Sequence, residues 1–172
     1  MATTSLRHLV HLSFLGWVSM LGTDLVLHAG ILAWLYAQPS PFLLDPLQAF
    51  NRIPLGYLSF LVLAALLAYL AVRLDIQHWR AGLRFGLTLG ASVWGALALG
   101  LASISTAPWA LLVGWFVGQT IELGVAGALV GAGLQGVRTR KLWWFVIGWC
   151  IAAIAITVLL QNVGLAPPAI LR

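Results

Sequence analysis

The stretch Leu12–Tyr36, LSFLGWVSMLGTDLVLHAGILAWLY, decides the fold. A helix needs about 20 apolar residues to cross the hydrocarbon core of a bilayer, and this run is long enough. Yet it carries Asp24 and His28 in its interior, one helical turn apart and therefore on one helix face. A second run, Trp109–Leu134, carries Glu122 in the same way. An ionisable group at bilayer depth costs roughly 2.5–3.5 kcal/mol on insertion scales, so its retention points to a function.

Composition agrees with a membrane setting. Hydrophobic residues make up 62% of the chain and charged residues 8%, and the mean hydropathy is +1.00. Soluble domains are about a quarter charged. The chain is therefore expected to be a single all-α integral membrane domain over residues 1–172, with no segment left for a soluble domain. A net charge of +5 does not indicate nucleic acid, because the basic residues gather where the apolar runs end. Cys150, the single cysteine, lies inside an apolar run, which excludes an internal disulfide and cysteine-based zinc or iron–sulfur centres. The first run is long, holds Asp24 and lacks a small-x-small cleavage site, so it is expected to be a retained span.

Working outward, the sequence predicts five spans at about 11–36, 54–72, 83–105, 109–135 and 142–162. The expected architecture is a four-helix core with a fifth, Trp-rich helix. Pro54 is expected at the start of the second span, preceded by a loop holding Pro39, Pro41, Asp45, Pro46, Asn51 and Arg52. Arg7, Arg73, Arg80, Arg84, Arg138, Arg140 and Lys141 fall on one side, against Arg52 and Arg172 on the other. Seven against two predicts a cytoplasmic amino terminus and an outer carboxyl terminus. Trp34, Tyr36 and Trp109 would mark the outer interface, and Trp79, Trp143 and Trp144 the inner one.

Spans three and four carry glycine at four-residue spacing: Gly82, Gly86 and Gly90; Gly114 and Gly118; Gly127 and Gly131. Small residues at this spacing let helix backbones approach closely in lipid. The two spans are expected to form a tight hairpin around the short Thr106–Pro108 loop. Gly114, Gly118 and Glu122 form one row, so Glu122 should face the bundle.

Depth brings the acids together. At 1.5 Å per residue, Asp24 lies about 18 Å from Tyr36, and Glu122 lies about 20 Å from Trp109. Asp24, His28, Gln119 and Glu122 are thus expected to line one polar pocket between spans one and four. It would hold a proton, a metal cation or the polar end of a lipophilic ligand; the same groups would also serve as an interhelical packing contact. A magnesium-bearing pigment at His28, with Trp94 or Trp115 against its ring, is compatible with the sequence but not implied by it. His8, His11 and His78 at the cytoplasmic interface form a weaker candidate for metal or haem.

Hydrolytic, phosphoryl-transfer and dinucleotide-binding signatures are absent, so no enzyme is expected. The pattern of an acid, then His-small, then Tyr in the first helix, with glycine-spaced third and fourth helices, is carried by Asp24, His28-Ala29-Gly30, Tyr36, Gly86, Gly90, Gly118 and Glu122. It resembles a family of small uncharacterised bacterial four-helix integral membrane proteins. The likeness covers about Leu21 to Gly136, with Ala29 where glycine is expected and the fifth span outside the pattern. It implies a four-helix core of unknown role in a bacterial inner membrane.

Two functional expectations follow. One is a non-enzymatic accessory subunit of a larger membrane assembly, for instance an energy-transducing complex, docked through Trp143, Trp144 and Trp149. The other is a small carrier or sensor acting at the midplane acids. Besides the lipid bilayer, other membrane subunits are the expected partners.

Overall fold

A computed structural model describes residues 5–38 and 40–167; Pro39 and Arg172 lie outside them. In chain order the elements are α1 (Leu6–Val26), a π-helical turn (Leu27–Ile31), α2 (Ala33–Ala37), α3 (Pro46–Arg73), α4 (Trp79–Ile104), α5 (Trp109–Leu134) and α6 (Thr139–Asn162). No strand occurs among the described residues. Five helices are long and apolar enough to cross a membrane: Leu6–Ile31, Leu47–Arg73, Trp79–Ile104, Trp109–Leu134 and Thr139–Asn162. The chain is an all-α helix bundle of the transmembrane kind.

Local chemistry sets the helix ends. Asp45 caps α3 by accepting hydrogen bonds from the Leu47 and Gln48 amides, and Pro46 occupies the first turn. This corrects the expectation that Pro54 starts the second span. Asn51, Arg52 and Pro54 lie inside α3, because the Asp-Pro pair at 45–46 supplies both cap and first-turn residue. α4 likewise begins at Trp79 rather than 83, with the His78 ring accepting from the Arg80 amide. Three helices then end in the same way. Asp75, Gly136 and Gly164 each take a left-handed conformation, and paired bonds such as Val137 N to Ala132 O and Gly136 N to Gly133 O satisfy the last carbonyls.

α1 and α5 are the central pair. The enclosed core joins Leu12, Leu15 and Met20 of α1 to Leu123, Ala126 and Val130 of α5, Ala64 and Leu67 of α3, and Val146 of α6. The Trp17 indole ties α1 to α3 by donating to the Tyr57 carbonyl. α6 packs along α1: the Trp149 indole donates to Thr23 Oγ1, and Cys150 Sγ lies 3.6 Å from the Val18 carbonyl. Trp149 is therefore turned into the bundle, while Trp144 faces outward. α4 packs almost entirely on α5, and little of it is buried.

The glycine rows divide between two faces of α5. A β-carbon at Gly82, Gly86, Gly127 or Gly131 would collide with the backbone of the opposing helix, so these positions form the close α4–α5 seam. Gly90 belongs to the same seam, against Thr120. Gly114 and Gly118, expected in that hairpin, face the first crossing instead. Their nearest neighbours are Leu35 and His28. The four-residue spacing is right for both rows, but they lie on different sides of the helix.

Candidate functional site

The first crossing is not a continuous α-helix. At Leu27–Ile31 it widens to a π-turn, with the Leu32 amide reaching back to the Leu27 carbonyl at 2.6 Å. Such wide turns concentrate at functional positions in helices. Here His28 lies within the turn. Side chains of α6 pin the backbone around it: Thr157 Oγ1 donates to the Leu25 carbonyl and Gln161 Nε2 to the Ala29 carbonyl. In a membrane, neighbouring helices supply the partners that irregular backbone needs.

Asp24, His28 and Glu122 each offer a ligand atom, and these atoms lie within 4.8 Å of one another. His28 Nε2 is 3.3 Å from Glu122 Oε1, and Gln119 Nε2 is 3.4 Å from the same oxygen. The structure thus brings together all four residues that shared depth had singled out. Glu122 is completely enclosed and Gln119 is 5% exposed. Glu122 Oε2, Gln119 Oε1 and His28 Nε2 have no hydrogen-bond partner. Among the described residues, His28–Glu122 is the one ion-pair geometry within 4.0 Å, so neither Lys nor Arg reaches the carboxylates.

The imidazole is held from its other side. His28 Nδ1 lies 2.5 Å from the Tyr36 hydroxyl, and the Trp115 indole donates to that same hydroxyl at 2.8 Å. Phe42 packs on the Trp115 ring from the loop before α3. Tyr36 and Trp115 are thus parts of the cluster, although sequence reasoning placed Tyr36 at the outer interface and Trp115 only against the ring of a pigment at His28. Tyr36 is expected at the outer interface, but it is turned back onto His28. The available signal was its position eight residues after His28. In a plain α-helix that spacing leaves about 80° between two side chains. The π-turn takes up the offset.

Gly118 makes room for the ring. A β-carbon there would sit 2.7 Å from His28 Nε2. With Nε2 between Glu122 and the α5 backbone, and Nδ1 on Tyr36, neither nitrogen has space beside it for a pigment macrocycle. His8, His11 and His78 belong to no cluster of three ligating side chains among the described residues. His11 Nδ1 instead lies 2.7 Å from the Arg7 carbonyl of its own helix, and His78 caps α4.

No family model, curated protein or solved structure matches the chain. What the cluster does must therefore be argued from its own chemistry.

Proposed function

We propose that the chain is a small integral membrane carrier or sensor, without catalytic activity, that binds a proton or a cation at the Asp24–His28–Gln119–Glu122 cluster. The observation that carries this reading is Glu122. Its carboxyl group is fully enclosed, one oxygen has no partner, and among the described residues no Lys or Arg is in ion-pair reach. A packing contact needs none of this, because a neutral amide or hydroxyl joins two helices for about 0.6 kcal/mol without the cost of a charge. A lipophilic ligand fits less well, because Leu32, Leu35 and His28 fill the space beside Gly114 and Gly118. The excess of Lys and Arg on one side supports a cytoplasmic amino terminus and an outer carboxyl terminus.

The test is a pair of isosteric changes, Asp24→Asn with Glu122→Gln, in the full chain purified in detergent. Retained helicity and monodispersity, with loss of the fluorescence response of Trp115 to pH or cations, support the reading. A response unchanged in the double variant rejects it.

A second reading, an accessory subunit of a larger membrane assembly, draws on α4. That helix packs almost entirely on α5 and leaves Leu97, Leu99 and Ile104 exposed; Trp144 adds an exposed aromatic on α6. Mild extraction, then native electrophoresis and mass spectrometry of co-migrating chains, tests it. A lone small species counts against a partner.

A further inference from the structure

We infer that the ligand of the cluster is a divalent first-row transition ion such as Zn²⁺ or Co²⁺, held by His28 Nε2, Asp24, Glu122 and the Gln119 amide oxygen. The inference rests on the cation-binding reading above and names the class of ion. Three independent features point to it.

The first is donor geometry. Bonds of about 2.0–2.1 Å to nitrogen and oxygen imply donor–donor edges of roughly 3.4 Å in a tetrahedral site. His28 Nε2 and Glu122 Oε1 are already 3.3 Å apart. The ligand atom of Asp24 lies within 4.8 Å of both. Gln119 completes the donor set. It is 95% buried by its 5% exposure, and Oε1 has no partner while Nε2 faces Glu122. The two amide ends are exchanged by a half-turn, which is an assignment rather than an observation. Turned over, the amide presents oxygen to the same point as the carboxylates.

The second feature is charge. Among the described residues no Lys or Arg pairs with the two carboxylates, and one divalent cation neutralises both. A single Na⁺ leaves one negative charge in the low-dielectric interior. Mg²⁺ and Ca²⁺ have the right charge but take about six or more oxygen donors. An imidazole with a few oxygens suits zinc and its neighbours.

The third is support from behind the ligand. A metal-ligating imidazole normally uses its other ring nitrogen on a hydrogen-bond acceptor, which fixes the ring and its tautomer. Tyr36 occupies that position on Nδ1, and Trp115 in turn holds Tyr36. In the metal-bound form Nδ1–H donates to the Tyr36 oxygen, which leaves Nε2 free to ligate.

The experiment is titration of the chelator-stripped full chain in detergent with Co²⁺, followed by visible absorption, and with Zn²⁺ in competition. One ion per chain is expected, with no displacement by Mg²⁺ or Ca²⁺. Affinity should fall by about 100-fold or more in Glu122→Gln and in His28→Gln, and by about 10–100-fold in Tyr36→Phe. His8→Gln and His11→Gln should leave it unchanged. Absence of Co²⁺ and Zn²⁺ binding, or binding indifferent to Glu122→Gln and His28→Gln, overturns the inference. If metal binding fails while the pH response of Trp115 persists and requires Asp24 and Glu122, the metal site falls and proton binding stands. If both fail, both readings fall.

Discussion

His28 Nε2 and Glu122 Oε1 face each other at 3.3 Å across the contact of α1 with α5. The pair joins the π-turn of the first crossing to α5, where Glu122 is fully enclosed. Glu122→Gln keeps the volume and the polar character of that side chain and removes the charge. Its thermal stability in detergent should lie within about 1 kcal/mol of the parent, the scale of an interhelical hydrogen bond in membranes. Cation affinity measured by calorimetry should nevertheless collapse. Equal affinity in the two proteins would separate Glu122 from binding.

The two glycine faces of α5 should respond differently to the same methyl group. Gly86→Ala drives a β-carbon into the Leu123–Gly124 backbone across the seam. It should cost about 1–3 kcal/mol of stability with little effect on the cluster. Gly118→Ala meets the His28 ring instead. It should weaken cation binding far more than Gly86→Ala does, while leaving the α4–α5 hairpin assembled. Parallel unfolding curves and Co²⁺ titrations read both effects.

Thr157 and Gln161 hold the backbone beside the π-turn. Thr157→Val removes one of these donors, at a cost of about 0.6 kcal/mol. The local effect should be larger than the global one. Hydrogen exchange of the amides at Leu27–Leu32 should quicken, while the α4–α5 seam keeps its protection. Unchanged exchange there would show that the turn holds its shape without α6.

Orientation can be read from exposed loop positions in a Cys150→Ala background. Gln77 and Thr106 lie in the connections at opposite ends of α4 and are exposed. A membrane-impermeant maleimide should label Thr106→Cys on intact cells and Gln77→Cys after lysis alone. The reverse pattern would invert the proposed topology.

Much of this arrangement was legible in the sequence because depth along a helix is a simple count. The counts from Tyr36 and Trp109 placed Asp24 and Glu122 at one level, and His28 and Gln119 followed from their helical spacing. Other parts were not legible. The LHAGI segment has no proline and nothing in its pattern that distinguishes a π-turn from an α-turn, so the return of Tyr36 onto His28 could not be foreseen. Glycine spacing revealed two close-packing rows on α5 but not which neighbour each row meets. Pro54 drew the start of α3 too far along, although Asp45-Pro46 carried the stronger local signal.

The π-turn also stores one residue of slack in the first crossing. A helix that lost one residue between Leu27 and Ile31 would close into regular α-geometry, with a more complete backbone ladder. With Ala29 or Gly30 gone, seven residues would separate His28 from Tyr36, a spacing that leaves about 20° between two side chains of a plain α-helix, so Tyr36 would still face His28. A single-codon deletion there would therefore remove the wide turn and leave the polar side chains of the cluster facing one another.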